Sequence, residues 1–316
     1  MISIVTPTYN RKNMLKDVID SIRMQTYTDF EILIIDDCST DGTDKFITDY
    51  VDDKRIKYFR NQKNMGPGYN RNFGFKQAQG DYVIFMDDDD YYLESDFFLK
   101  AVNIFESNKE KNLAFVSANA YVDHIKTGKR VCANIGHIGY IDGIKFLLNL
   151  KIKYNKPQST FTTIFNRKIL LKADLLTMKM VNDYAIYLRA LLFGNAYIMQ
   201  DRIGVYRVHN QNISSHIERD FLLQNLEERT WVKKRLKEKA ENRHVRKWWK
   251  RQMLMLLKYY LLGTNPKFED SFYIAKWMIK SSGFAPDLFL IVLIFLMIYK
   301  PFGALKKLKN IFKKER

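Results

Sequence analysis

Four consecutive carboxylates, Asp87, Asp88, Asp89 and Asp90, follow an apolar run in the stretch VIFMDDDDYY. Like charges at adjacent positions repel, and no cation in the neighbouring sequence relieves them. If extended backbone persists past Met86, Asp87 and Asp89 point to one side and Asp88 and Asp90 to the other. Alternate carboxylates on one side suit a hard divalent cation with oxygen ligands, Mg²⁺ or Mn²⁺, which keeps positions open for phosphate oxygens. Taken alone, a D-x-D reads as a solvated acidic turn. Its placement directly after an apolar strand, and the company of two more polar strand ends, point instead to a site.

Those two ends are TPTYNR, after the first apolar run of the chain, and DDCSTDG, after the second. In an open parallel sheet, ligands bind beyond the carboxyl ends of the strands. Three such ends offer an aromatic ring at Tyr9, acceptors for a base or ribose, and the carboxylate cluster. The first strand is not followed by G-x-G-x-x-G, and G-x-x-x-x-G-K-[ST] is absent, which argues against a nicotinamide or flavin site and against a P-loop. No H-E-x-x-H or G-x-S-x-G appears either.

The elements that must position these residues are legible as an alternation. SIVTP, EILIID, RIKYFRN, YVIFM and LAFVSA read as strands, several of them apolar without alternation, as in a parallel sheet buried on both faces. Between them lie helical stripes. One holds Met14, Leu15, Val18, Ile19 and Ile22; a second, Phe46, Ile47 and Val51. A third carries Phe98, Ala101, Val102 and Phe105, with Ser95 as its expected cap. This order predicts right-handed βαβ units and an α/β doubly wound sheet. Strand-like pieces around Tyr121 and Arg130 flank the turn KTGK, and helices are expected near 144–150 and 181–193. From Glu218 onward the chain reads as helix after helix. The expected division is an α/β catalytic domain over 1–215 and a helical region over 216–316.

The 316 residues are 47% hydrophobic and 14% aromatic, enough for a sizeable core. Lys and Arg number 52 against 35 acidic residues, a net charge of +17. Such an excess points to an anionic partner, and basic residues crowd the chain after Arg229. The two cysteines, Cys38 and Cys132, build no disulfide framework or zinc spacing and read as reduced thiols. No signal-peptide pattern opens the sequence. The stretch DLFLIVLIFLMIYK holds an apolar run over 288–299, shorter than the roughly 20 residues of a membrane span. A basic tail follows directly, so we read this end as an interfacial anchor on an anionic membrane, with a buried core helix as the alternative. The expected location is cytoplasmic, peripheral on the inner face of the cell membrane.

Several ordered motifs together resemble those of inverting family 2 glycosyltransferases, whose fold is the GT-A nucleotide-sugar fold. SIVTPTYNR is similar to the opening strand and base-binding turn, and EILIIDDCSTDGT to the second strand and acidic loop. NMGPGYNRNFGFKQAQGDYVIFMDDDD resembles the approach to the metal motif, VNDYAIYLRA the helix with the catalytic acid, and YRVHNQNIS the segment closing the donor site. The resemblance implies a UDP-sugar donor and Mn²⁺ or Mg²⁺. Pro7, Thr8 and Tyr9 would line the base pocket, Asp37 or Asp36 would accept from the uracil, and Asn64 and Arg71 would contact base or diphosphate. Asp87 would hold ribose and metal and Asp89 the metal, while Asp88 and Asp90 would shape the turn or touch the sugar, Asp88 counted with the donor-binding residues. Asp183 would be the general base, and His209 would approach the metal or diphosphate from the opposite side. Taken singly, Tyr9, Asp183 and His209 read as a core ring, a helix-surface carboxylate and a structural histidine; only the ordered set makes them a site.

The chain departs from the family pattern at Asn182, where an acidic residue often precedes the base, and at Cys38, where glycine often permits positive φ. Q-x-x-R-W, the mark of processive polymerases, is absent, which favours addition of one sugar. The basic end suggests a lipid-linked acceptor, a saccharide on a polyprenyl diphosphate, in bacterial polysaccharide or glycan assembly. Two other readings are weaker. A sugar nucleotidyltransferase usually has a Gly-rich basic loop where TPTYNR stands. In a nucleic-acid or membrane-binding protein the four aspartates would repel a phosphate backbone, so no specific nucleic acid is expected.

Overall fold

The computed structural model describes residues 1–50, 52–178, 181–209 and 219–263. The β-branched runs form strands: β1 (Ile2–Thr8) and β2 (Phe30–Asp36) are buried along their whole length. β3 (Ile56–Arg60) and β4 (Tyr82–Phe85) complete a parallel group in the order β3-β2-β1-β4. The helices between them are α1 (Lys12–Arg23), α2 (Thr43–Ile47) and α3 (Pro67–Gln77). The α1 stripe buries Leu15, Val18, Ile19 and Ile22 as the 3.6-residue period requires. α2 is one short turn continued by a 3₁₀ turn to Tyr50.

Beyond β4 come β5 (Tyr91–Tyr92), α4 (Phe97–Ser107), β6 (Leu113–His124), β7 (Lys129–Cys132), β8 (Gly139–Ile141) and α5 (Gly143–Asn149). β9 (Thr163–Asn166), α6 (Arg167–Lys172), α7 (Asp183–Phe193) and β10 (Asn195–Val208) follow. The sheet continues β4-β9-β6-β10-β5, ten strands in all with β7 and β8 paired to β6 and β10. β9 runs antiparallel to both β4 and β6, so the mostly parallel α/β sheet expected from the sequence carries one reversed strand at its centre. The strand read as LAFVSA and the piece around Tyr121 are one strand, β6, paired along its length with β10. β9 and β10 escape a sequence reading: β9 is four residues long, and β10 is interrupted by Gln200, Asp201 and Arg202 at a register shift. At α4 the N-cap position is Asp96, not Ser95; its own side chain makes no capping bond, and Gln25 Oε1 accepts from the Phe98 N–H at 3.2 Å.

The strand ends are staggered. Thr8 pairs with Asp36, while β4 stops at Phe85 opposite Val5. β1 therefore projects beyond β4, and the residues that follow β4 fold back against Thr8. α3 packs on β1 and β2. Its Gly74 makes this possible, because a Cβ there would lie 2.3 Å from Val5 Cγ1.

Two compact units account for the chain, Met1–Asn212 with Glu238–Ala240, and Ile213–Lys237 with Glu241–Arg316. In the second, α8 (Arg219–Leu236) and α9 (Asn242–Gly263) pack together. Trp248 and Trp249 are buried, so they serve packing. No helix among the described residues is long and apolar enough to cross a membrane. The apolar run 288–299 and the basic tail lie outside the described residues.

Replacing Gly74 with Ala forces α3 away from β1. We expect a loss of about 1–3 kcal/mol, the cost of overpacking a tight core contact, read as a lower denaturation midpoint with an unchanged slope. An unaltered midpoint would show that α3 is free to shift.

Candidate active site

The four aspartates do not continue the strand. The backbone turns at Asp88 and Asp89, so the expected alternation of two and two fails. Asp87, Asp89 and Asp90 instead bring one carboxylate oxygen each within 4.8 Å of one another. Asp88 turns the other way and accepts from Thr8 Oγ1 at 2.8 Å, the Tyr9 backbone N–H at 3.4 Å and Arg11 Nη1 at 2.8 Å. Its role here is to fasten this turn to the end of β1.

The missing cations arrive from far along the chain. Arg11 also reaches Asp89 at 2.9 Å. Arg71, on the buried face of α3, donates to Asp87 at 2.5 Å and lies 3.2 Å from Asp183. Arg207, near the end of β10, donates its backbone N–H to Asp90 at 3.3 Å and its Nε to the Asp89 carbonyl. His209 places Nε2 3.0 Å from Asp89. Ser159 donates to Asp90 at 3.2 Å.

These partners do not fully offset the crowding. Burial pushes Asp88 up to about 6, with Asp89 adding to it against Arg11. Burial and Asp87 push Asp89 up to about 6 against Arg11 and Arg207, and burial and Asp89 hold Asp90 well above the carboxylate range. For Arg71, burial alone would lower the guanidinium, but Asp87 and Asp183 outweigh it and hold it above its ordinary value. Burial, then Arg11 and Arg207, hold His209 below its ordinary value. A site whose carboxylates disfavour their own ionised form is one that a further cation would relieve.

The remaining residues singled out from the sequence divide into those facing solvent and those engaged internally. Tyr9 is 45% exposed, so its ring is open to stacking. Pro7 is buried within β1 opposite Ile35. Asp36 accepts from the Ser39 backbone at 2.9 Å and from the Tyr58 hydroxyl at 2.5 Å. Asp37 accepts from Asn61 at 2.8 Å, from Met65 N–H at 2.7 Å and from Gly66 N–H at 2.8 Å. Both carboxylates thus organise the loops around them, and Asp37 keeps one free lone pair. Asn64, in the loop that Asp37 organises, is exposed. Cys38 adopts φ +67°, the left-handed turn that glycine would allow, with its Sγ 3.5 Å from the Gln62 carbonyl.

Asp183 is the first residue of α7, and Asn182 caps the helix by accepting from the Ala185 N–H at 3.1 Å. Asparagine at 182 is thus the better cap, and the helix N-terminus favours a carboxylate at 183.

Five participants were not assigned from the sequence, one of them Ser159. Arg11 and Arg207 both lie inside quoted motifs, TPTYNR and YRVH, where a basic residue next to an acidic site was the available signal. Asp90 was set aside by the assumption of strand alternation. Lys156 had no signal: it is a lone loop lysine, donating to the Pro157 and Gln158 carbonyls at 2.7 and 3.2 Å and lying 5.3 Å from the Tyr187 ring centre. Burial lowers its pKa against the pull of Asp183.

The chain is similar to several known proteins. A putative teichuronic acid biosynthesis glycosyltransferase of Bacillus subtilis, TuaG, is 29% identical over 68% of this chain and 82% of its own. A GalNAc(5)-diNAcBac-PP-undecaprenol beta-1,3-glucosyltransferase of Campylobacter jejuni is 45% identical over 29% of this chain and 30% of its own. Two further curated relatives are much longer, and the chain spans 23% and 15% of their length. The crystal structure of Staphylococcus aureus TarS 1–349 in complex with UDP-GlcNAc superposes with a TM-score of 0.66 at 20% identity, over 89% of this chain and 81% of that one, and so shares the fold. The family model named Glycosyl transferase family 2 matches residues 3–186, more than half of the 316 residues and every strand end described above except that of β10, and on that match the chain belongs to glycosyl transferase family 2.

Proposed function

We propose that the protein transfers one sugar from a UDP-sugar to a saccharide acceptor, inverting the anomeric carbon, in bacterial polysaccharide or glycan assembly. The observation that carries this reading is the Asp87, Asp89 and Asp90 cluster joined through Arg71 to Asp183. It sets an acidic centre for a diphosphate beside a second carboxylate that can act as a base.

The cluster fits Mn²⁺ or Mg²⁺: its donors are all carboxylate oxygens, as a hard cation prefers, and their mutual repulsion is the kind a cation relieves. Bound there, the cation supplies charge stabilisation to the leaving nucleoside diphosphate. The chain's own residues do the rest. Asp183 takes the proton of the acceptor hydroxyl as it attacks the anomeric carbon, and Arg71 orients that carboxylate. Arg71 and Arg11 are the guanidinium donors next to the departing charge. Tyr9 offers its exposed ring to the base, and Asp37 offers its remaining lone pair. With a single base and no covalent nucleophile, attack comes from the face opposite the diphosphate and inverts the centre.

The donor reading is supported by the TarS complex with UDP-GlcNAc, and the lipid-linked acceptor by the undecaprenol named for the Campylobacter relative. In this reading residues 1–215 are the catalytic domain. The helical region 216–316, with its basic and apolar end, rests on the anionic cytoplasmic face of the membrane near a polyprenyl-diphosphate acceptor. No specific nucleic-acid partner is part of it.

Replacing Asp183 with Asn is expected to cut transfer by roughly 10² to 10⁴-fold while thermal protection by UDP-sugar with Mn²⁺ is kept; unchanged turnover removes Asp183 from the base role. Chelation of divalent ions should stop transfer. Mn²⁺ without nucleotide should raise the melting temperature of the wild type and not of Asp90→Asn. Activity that survives chelation overturns the metal assignment.

A further inference from the structure

β10, which brings Arg207 to the carboxylate cluster, also borders a second hollow. A cavity of about 470 Å³ lies between β6, the β7–β8 connection and β10, within the range of about 300–1,000 Å³ typical of ligand pockets. Its wall mixes apolar surface, including Ile138, with polar side chains and carries no carboxylate. Asn119 comes from β6, Asn134 and His137 from the connection, and Gln200 and Arg202 from β10.

The donors on this wall are unspent. Asn119 is only 8% exposed; its Oδ1 accepts from the Ile135 N–H at 3.1 Å, and its Nδ2 has no partner among the described residues. That nitrogen is not sealed from solvent and is available to a ligand in the hollow. Asn134 likewise uses its oxygen on the Gly136 N–H at 2.7 Å, which leaves its amide nitrogen open. His137 sets Nε2 3.0 Å from the Tyr140 carbonyl, so Nε2 carries the proton and Nδ1 is left as an acceptor. Arg202 is exposed and has no ion pair or hydrogen bond among the described residues. Gln200 and Arg202 stand where the pairing of β10 with β6 shifts register between Ile198 and Arg202, a bulge that re-aims side chains.

We propose that this cavity binds a polyhydroxylated segment bearing an acidic group, phosphate or carboxylate, as part of a longer acidic acceptor glycan. Carboxamides pair donor with acceptor and so suit adjacent hydroxyls, while a guanidinium with nothing to balance it suits an oxyanion in bidentate contact. Arg202 precedes Arg207 by five residues on β10, placing the cavity roughly 15 Å along the strand from the carboxylate cluster. The segment it holds therefore lies some way from the reacting hydroxyl, and the site is separate from that of the donor. The link to an acceptor rests on the transferase reading above; the binding of an acidic sugar does not.

The test is calorimetric titration of the full chain, saturated with UDP and Mn²⁺, with glucose 6-phosphate, glucuronate and glucose. Both acids are expected to bind and glucose more weakly, the tighter acid identifying which anion the cavity takes. Arg202→Met should weaken the acids about tenfold and leave glucose unchanged. Gln200→Ala, also at an exposed position, should weaken all three by a few-fold, and both variants should retain UDP-sugar protection against heat. Failure of the wild type to bind either acid, or acid binding indifferent to Arg202→Met, overturns the proposal. If wild-type protein shows no protection by UDP-sugar yet binds the acids through Arg202, the donor reading fails and the cavity assignment stands.

Discussion

Everything in the catalytic unit depends on keeping four adjacent carboxylates in one place. The sequence around them offers no cation, so each positive or hydrogen-bonding partner must be carried in by another element: Arg11 by the turn after β1, Arg71 by α3, Arg207 and His209 by β10 and the residue after it. Burying charge is expensive unless partners are close and well oriented. The order of strands in the sheet answers that demand, because it sets the end of β1 next to the turn after β4. Even so, Asp88 and Asp89 stay pushed up to about 6. The protein's own cations leave part of the repulsion standing.

The same constraint explains small features elsewhere. Gly74 lets α3 approach β1 closely, and this approach brings Arg71 between Asp87 and Asp183. Asn182 caps α7 and thereby fixes the first residue of that helix, Asp183, beside the same guanidinium. Arg71 thus ties the acidic cluster to the Asp183 carboxylate. Asp88 gives up any place in the cluster to fasten the turn to Thr8, Tyr9 and Arg11. Its neighbours can then converge.

β10 contributes to two hollows of different character, the second shared with β6. At one end β10 delivers Arg207 to an acidic cluster. Further back, at its bulge, the pair lines a cavity with amides and one unbalanced guanidinium. One strand thus presents a guanidinium at the acidic cluster and another at an amide-lined hollow.

The sequence by itself determined the alternation of strands and helices, the polar strand ends and the family, because each rests on short-range patterns: apolar runs, 3.6-residue stripes and ordered motifs. Asp87, Asp89, Arg71, Asp183 and His209 were legible in this way, and the structure gathers them at one sheet edge. Tertiary structure alone decided the rest. Whether Asp88 or Asp90 joined the cluster depended on a backbone turn that an alternation rule cannot see. The partners of the carboxylates were set by contacts between residues as much as 120 apart in the chain. The reversed β9 and the bulged β10 were hidden because a four-residue strand and a polar interruption leave no periodic signal, yet they shape both the sheet and the second cavity. Long-range pairing of buried charge leaves no trace in local sequence, since its energy comes from proximity that only the folded chain creates.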